Sequence, residues 1–408
     1  MDDWLGRGGP FGAIVGFLLG ALLLLPVCYV YGQWIQRLPD AAGEAAYAAQ
    51  VFPPLVSYFT GWVMLLAYFV VCPWEAVALG KIAAYIFPTL NSIELYRIGE
   101  QPIFLPRLAL GLLLTLFLAT LNYRGIRLSA NFQKLSMSLL LVLFAATVGI
   151  SVTHGSPANF HPLFHATPVL SVLLILQIVP YFFTGFESVA KSAEEANPGF
   201  RERSYWHAMA LALGGAALFY ALAVAAVAYI APWQGLIGLR FVTAAAFQTA
   251  LGARWPVSLI LACALFGLFQ CFNGNFIAAT RLLFALGRNG GVTPRLGAVH
   301  PKFKTPSTAV WTVCVGTVFA QLLGDAILVP VTEVGSAAAA FGWFSACLSF
   351  FIVERCLRLR LITTLGGLAA LVLLLMKFVP IFPGHFSRAE WIALAVWLMV
   401  GLLLRARS

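Results

Sequence analysis

The composition of this 408-residue chain excludes most soluble folds. Hydrophobic residues make up 61% of it and charged residues only 10%, and the mean hydropathy is +0.90. A soluble domain carries about 25% charged residues, so this chain cannot cover a surface that faces water. Inside lipid every backbone polar group must be paired within the protein, which leaves helices or closed barrels. Because the apolar stretches are longer than the ~10 residues of a barrel strand, the sequence predicts an all-α integral membrane protein.

The seven cysteines and the net charge of +10 do not indicate any other class. The cysteines lie almost wholly in apolar runs and none forms a CxxC pair, so neither disulfides nor a zinc site is indicated. Basic residues of membrane proteins concentrate in cytoplasmic loops. The positive charge is therefore explained without nucleic acid.

A hydropathy window of about 19 residues predicts eleven membrane spans joined by short connections. The second, fifth and seventh spans exceed the roughly 20 residues that cross a bilayer, so we expect them to be tilted, broken or longer than the membrane. A tail of about ten residues precedes the first span. In chain order the spans cover residues 10–31, 54–88, 105–121, 135–153, 168–196, 206–231, 254–287, 307–324, 330–353, 361–380 and 389–404.

The distribution of Lys and Arg predicts the orientation of these spans. Of the 25 basic residues, 17 fall on the side that holds the C-terminus and 8 on the other side. Basic residues favour the cytoplasmic side, so we expect a cytoplasmic C-terminus and a multi-pass protein of the bacterial cytoplasmic membrane.

Gly12, Gly16 and Gly20 form a GxxxGxxxG pattern in the first span. Such a stripe of small residues predicts close packing of this span against another helix.

Four segments carry motifs in a recognisable order. Residues 37–52 (RLPDAAGEAAYAAQVF) follow a span with a Leu-Pro, Gly-Glu and Tyr pattern, and residues 122–133 (NYRGIRLSANFQ) form a basic turn between two spans. Residues 182–198 (FFTGFESVAKSAEEANP) and 278–310 (AATRLLFALGRNGGVTPRLGAVHPKFKTPSTAV) are the most specific. Together these segments resemble the amino acid/polyamine/organocation permeases, with 182–198 similar to the sixth helix of that family and 278–310 similar to its eighth helix and the following loop.

The resemblance implies a leucine-transporter-type fold of two inverted five-helix repeats, with the substrate at the midplane between discontinuous helices. Residues 8–10 (GGP) match the turn before the second helix of the family, so the first helix is expected to be missing and eleven spans replace the usual twelve. We therefore expect a single permease domain over residues 1–408. It comprises an incomplete first repeat (1–153), a second repeat (168–353) and two additional C-terminal helices (361–404).

The fifth span is expected to be the discontinuous helix. Pro180 removes a backbone donor, and Thr184 and Gly185 offer a weak point for unwinding. The carbonyls of Phe182 and Phe183 would then face a substrate ammonium, and aromatic rings would close over a cation or an apolar group. The alternative is a proline-bent helix with an aromatic packing face. The substrate-binding candidates here are Tyr181, Phe182, Phe183, Thr184, Gly185 and Phe186.

Two acidic residues inside spans are candidates for coupling or gating, because a carboxylate at this depth is costly and is usually functional. Glu187 would carry a proton, or alternatively pair with Lys191 one helical turn later. Glu75 would bind a substrate amine or a proton, or alternatively form a structural pair. Lys81 lies six residues beyond Glu75, about 9 Å along a helix, and is not its direct partner.

Asn273 and Asn275 interrupt the apolar run of the seventh span. In the resembling family this helix lines the site, so Asn273 is a substrate-binding candidate and Asn275 a coupling candidate. Interhelical hydrogen bonding is the alternative for both. The family often places a Lys where this chain has Leu140, so the coupling ion, H⁺ or Na⁺, stays open.

The resemblance implies a secondary active transporter, symporter or antiporter, of an amine-bearing solute such as an amino acid. The alternatives are a non-transporting relative or subunit, and a permease for a carboxylate-free amine such as ethanolamine or a polyamine. Motifs of intramembrane enzymes, such as HExxH and GxSxG, are missing from the sequence. We expect no organic cofactor, contact with the lipid bilayer, no nucleic acid, and a chain compatible with a homodimer.

Overall fold

The computed structural model describes residues 1–195, 204–239, 241–253, 255–324 and 328–405. Within these ranges the chain is almost entirely helical, which confirms the all-α membrane fold. The exception is an exposed antiparallel hairpin of β1 (Glu94–Ile98) and β2 (Gln101–Phe104). The helices are α1 (Asp2–Arg37), α2 (Glu44–Ala48), α3 (Pro54–Phe69), α4 (Val71–Ile86), α5 (Leu105–Arg124), α6 (Ile126–His154), α7 (Pro168–Leu176), α8 (Val179–Phe183), α9 (Ser188–Lys191), α10 (Ser204–Ile230), α11 (Val242–Leu251), α12 (Trp255–Arg288), α13 (Ser307–Gln321), α14 (Leu328–Val353), α15 (Leu357–Phe378) and α16 (Arg388–Arg405).

Eight helical segments in the described ranges are long and apolar enough to cross a membrane. They correspond to eight of the eleven predicted spans. The other three predicted spans hold the interrupted helices α7 to α9, the 15-residue helix α13, and α16, whose 18 residues include three charged side chains. A count of eleven membrane crossings therefore stays a prediction.

The first helix begins earlier than the hydropathy pattern predicts. Helical structure starts at Asp2 rather than at residue 10, and Gly9 interrupts it with a φ of 62° that favours glycine. The turn brings residues 2–8 back onto the bundle, where the side chain of Leu5 is completely buried. The segment predicted as a tail is thus part of the packed structure.

The glycine stripe of α1 packs against α7, as the spacing predicts. A Cβ atom added at Gly12 would lie 2.7 Å from the Ser171 Cβ, and one added at Gly16 would lie 2.6 Å from the Ile175 Cβ. Contacts this close leave no room for a side chain, so the stripe fixes α7 along α1.

Ion pairs hold each end of the bundle. At one end, which we call the Arg288 end, Arg288 donates to Glu194 at 2.6 and 2.7 Å, and Arg37 donates to Glu354 at 2.5 Å. At the other end, which we call the Arg7 end, Glu333 accepts from Arg7 at 3.3 Å. Glu333 also pairs there with the buried ammonium of Lys377.

Candidate functional site

The fifth predicted span is broken between α8 and α9. Thr184 has an extended ψ of 131° and Gly185 a φ of 124°, so the helical hydrogen-bond ladder stops there. The backbone N–H and the hydroxyl of Thr184 both donate to the Pro180 carbonyl, at 3.0 and 2.5 Å. A φ of 124° is strained for any residue with a Cβ, which explains why glycine is suited to this position. The helix is interrupted where Thr184 and Gly185 predict it.

Glu187 closes this break with its own carboxylate. The side chain is fully buried, and its two oxygens accept from the Gly185 N–H at 3.2 and 3.1 Å. The Tyr68 hydroxyl of α3 donates to the Glu187 Oε1 at 3.0 Å. The alternative pairing of Glu187 with Lys191 is wrong, because Lys191 forms its ion pair with Glu44.

The aromatic rings before the break pack on α1 and α10. The Phe182 ring centroid lies 5.1 Å from that of Trp4 and 5.8 Å from that of Tyr220, while Phe183 lies 5.8 Å from Tyr220. The Tyr220 hydroxyl donates to the Phe182 carbonyl at 2.9 Å. The Phe182 carbonyl therefore already accepts one hydrogen bond, and its contact with a substrate ammonium stays a prediction.

Phe186 lies on the other side of the break. Its ring centroid is 5.4 Å from that of Trp343 in α14 and 6.2 Å from that of Tyr31 in α1. Its packing partners thus differ from those of Phe182 and Phe183, and the four predicted aromatic rings do not form one continuous wall.

Glu75 is buried in α4, with 3% of its surface exposed. Its carboxylate lies beside the Cys271 thiol of α12. The Glu75 Oε2 has no hydrogen-bond partner within the described part of the chain, and the same holds for the hydroxyl of the neighbouring Tyr181. Lys81 instead lines a separate small cavity with Arg107 and Gln321. Glu75 and Tyr181 therefore each keep a buried polar atom that can accept a further hydrogen bond.

The two asparagines of α12 point to different neighbours. The Asn275 Nδ2 donates to the Cys271 carbonyl at 3.0 Å and lies 3.4 Å from its sulfur, which places Asn275 beside the Glu75 group. The Asn273 Nδ2 donates to Gln133 at 2.7 Å and to Ser129 at 3.0 Å, both in α6. Residues two apart on a helix diverge by about 200°, so Asn273 faces away from that group. The structure favours interhelical hydrogen bonding for Asn273 over substrate binding.

The structure thus brings together two groups from the predicted residues. Thr184, Gly185 and Glu187 form the break, and Glu75, Tyr181 and Asn275 gather around Cys271. Sequence reasoning missed Tyr68, which completes the first group, and Cys271, which completes the second, because an aromatic or a cysteine in an apolar helix carries no pattern of its own. It also missed the rings that pack on Phe182, which are Trp4, Phe17 and Tyr220.

Comparison with known proteins assigns the family. Residues 5–404 match the model of a family described as amino acid permease. The chain belongs to this family. It is 24% identical to the branched-chain amino acid permease BcaP of Bacillus subtilis, over 97% of this chain and 85% of that protein. It is 21% identical to the amino-acid permease RocE of the same organism, over 86% and 75% of the two chains.

A third relative carries a different name. The low-affinity putrescine importer PlaP of Escherichia coli is 24% identical over 73% of this chain and 66% of its own length. The relatives carry the names of permeases and importers, and membership in the family confirms a multi-pass membrane protein of the transport class. The family resemblance seen in the motifs is likewise confirmed.

Proposed function

We propose that this amino acid permease is a secondary active transporter of amino acids or related amines. It would work by alternating access around the break at Thr184–Glu187. Family membership supports transport as such, and the relatives BcaP and PlaP carry the names of a branched-chain amino acid permease and a putrescine importer. In this proposal the substrate contacts Tyr181, Phe182, Phe183, Thr184 and Gly185.

The observation that carries the proposal is the hydrogen bonding of Glu187. Its carboxylate joins the break, through the Gly185 N–H, to α3, through the Tyr68 hydroxyl. The second half of the broken helix cannot move away from α3 without giving up the Tyr68 bond. Hydrogen bonds to an ionised carboxylate are roughly twice as strong as neutral ones. Protonation of Glu187 therefore weakens this link, which makes Glu187 the proposed carrier of a coupling proton.

Transport in proteoliposomes tests the proposal. Labelled leucine and putrescine are supplied with an inward proton gradient and, separately, with an inward sodium gradient. We expect uptake driven by the proton gradient. In Glu187→Gln, which keeps the shape but cannot ionise, gradient-driven uptake is lost while solute exchange remains. Glu100→Gln, an exposed carboxylate in the hairpin turn, is the matched control.

Two results would contradict parts of this proposal. Uptake driven only by sodium, or proton-driven uptake that survives in Glu187→Gln, rules out Glu187 as the proton carrier. The absence of uptake and exchange for every amino acid and amine offered rules out transport by this chain and favours a non-transporting subunit.

We also propose the orientation and repeat organisation that the sequence predicts. The excess of Lys and Arg puts the Arg288 end and the C-terminus in the cytoplasm, with repeats over residues 1–153 and 168–353 and two further helices over 361–404. A C-terminal fusion to a reporter that matures only in the cytoplasm should be active. If only a reporter that functions outside the cytoplasm is active at the C-terminus, the orientation is the opposite one.

A further inference from the structure

Cys271 lies beside two buried polar side chains in the bundle. This residue lies near the middle of the 34-residue helix α12 and is exposed, although its partners Glu75 and Asn275 are buried. Its thiol lies beside Glu75 of α4 and 3.4 Å from the Asn275 Nδ2. Cys271 therefore marks a place where α4 and α12 bring polar side chains together.

Three buried polar atoms in this group have no hydrogen-bond partner within the described ranges. They are the Glu75 Oε2, the Tyr181 hydroxyl and the Asn275 Oδ1. Buried polar atoms are almost always paired, and leaving one unpaired is costly. Each of the three can accept a hydrogen bond, so together they suit a ligand that donates several.

The charge of the group indicates the sign of that ligand. No described basic side chain forms an ion pair with Glu75, and the buried lysines are engaged elsewhere, Lys191 with Glu44 and Lys377 with Glu333. An isolated carboxylate in a low-dielectric interior is stabilised by a counter-charge or by protonation. The Trp74 and Tyr181 rings, with centroids 6.1 Å apart, add aromatic surface beside it that attracts a cation.

We infer that Glu75, Tyr181 and Asn275 form a subsite for the ammonium group of an organic cation, so that the transported solute is a diamine or a basic amino acid. This inference rests on the proposed transport function and specifies its substrate class. Glu187 already accepts from two donors, the Gly185 N–H, which its two oxygens share, and the Tyr68 hydroxyl. Glu75 is therefore the carboxylate with capacity for the solute. Leucine carries one ammonium next to its own carboxylate and has no net charge, whereas a diamine or a basic amino acid brings a second cationic group that Glu75 can bind.

Direct binding measurements test the subsite. The purified full-length protein in nanodiscs is titrated with putrescine, arginine and leucine. We expect putrescine and arginine to bind more tightly than leucine, and Glu75→Gln to weaken both by at least about tenfold, as expected for loss of a charge-assisted contact. Leucine binding should not change. The exposed hairpin variant Glu94→Gln is the control. Unchanged putrescine and arginine binding in Glu75→Gln overturns the inference, and so does preferential binding of leucine.

Thiol labelling gives a readout that does not require transport. In a Cys356→Ser background, which removes the other exposed cysteine, Cys271 is modified with cationic aminoethyl or anionic sulfonatoethyl methanethiosulfonate. We expect the cationic reagent to react faster, putrescine to slow the reaction, and Glu75→Gln to abolish the difference between the two reagents. Equal reaction rates for the two reagents in protein that retains Glu75 overturn the inference.

The transport and subsite proposals fail in different ways. If Glu75 carries a proton instead, Glu75→Gln will stop gradient-driven uptake of leucine and putrescine alike while both still bind, which overturns the subsite but not transport. If no solute is ever taken up or exchanged, transport fails, whereas protection of Cys271 by putrescine would still support the subsite.

Discussion

The Lys191 ammonium and the Glu44 carboxylate form an ion pair whose two side chains are completely buried. The pair joins α9, the second half of the broken helix, to α2. The Tyr31 hydroxyl of α1 donates to the other Glu44 oxygen at 2.6 Å. Three separate helices are thus tied together at one buried charge pair beside the break.

Removing one member of this pair should destabilise the protein strongly. Lys191→Met leaves the Glu44 carboxylate buried without its counter-charge, and Glu44→Gln does the same to Lys191. A broken buried pair costs about 3–5 kcal/mol, so both single variants should show a much lower thermal unfolding temperature in detergent. The double variant should recover most of the loss, because neither charge is then left alone. Additive losses in the double variant would show that the pair is not the relevant interaction.

Replacing Gly43 should destabilise the protein through a clash with Lys191. Gly99 is the control, because it shares the positive φ but has open space around it. Gly43 has a φ of 52°, and a Cβ there would overlap the Lys191 Nζ; Gly99, in the hairpin turn, has a φ of 60° and open space around it. Gly99→Ala should cost only the backbone strain of about 1–2 kcal/mol. Gly43→Ala adds the steric clash and should cost clearly more. Equal unfolding temperatures for the two variants would exclude an effect of Lys191 crowding.

The break in the fifth span was predictable because its cause is local. Gly185 lies next to Thr184 in an otherwise apolar helix, and a sequence pattern reports such a weak point directly. The partner of Lys191 was not predictable, because Glu44 lies 147 residues away and helical spacing indicates only neighbours such as Glu187. Long-range pairs depend on how helices pack, which hydropathy does not specify.

The start of α1 was also not predictable from hydropathy. A hydropathy window averages over about 19 residues, so the charged residues at the start of the chain masked a helical segment that Gly9 turns back onto the bundle. Trp4 consequently reaches Phe182, with ring centroids 5.1 Å apart. Nothing in the local pattern around Trp4 indicates this contact.

The two asparagines of α12 should separate stability from solute binding. Asn273 accepts from Asn122 at 2.9 Å and donates to Ser129 and Gln133, so Asn273→Ala should lower stability by about 1–2 kcal/mol. Asn275→Ala removes one acceptor of the proposed subsite and should weaken putrescine binding with little loss of stability. Unfolding temperatures and binding constants of both variants, measured side by side, check this. If instead Asn273→Ala weakens putrescine binding and Asn275→Ala lowers stability, then Asn273 rather than Asn275 belongs to the binding site.

The link between Arg37 and Glu354 should make the packing of α1 on α14 sensitive to acid. Glu354 lies directly after α14, and its carboxylate accepts from the Cys356 N–H at 2.7 Å and from Arg37 at 2.5 Å. These hydrogen bonds, that from the Cys356 backbone first, lower the pKa of Glu354 below its ordinary value. A carboxyl group whose folded-state pKa is lowered contributes stability above its unfolded-state pKa. That contribution is lost as the pH falls through the folded-state value.

Glu354→Gln should therefore lower the unfolding temperature at neutral pH, where the wild-type carboxylate is ionised. The difference between wild type and variant should begin to shrink near the unfolded-state pKa of glutamate, about 4.3, and vanish below the lowered folded-state value. Glu100→Gln, an exposed hairpin carboxylate, should show no such convergence. Unfolding temperatures measured from neutral pH to about pH 3 test this. A gap between wild type and Glu354→Gln that stays constant with pH would mean that the ionised carboxylate does not hold α1 to α14.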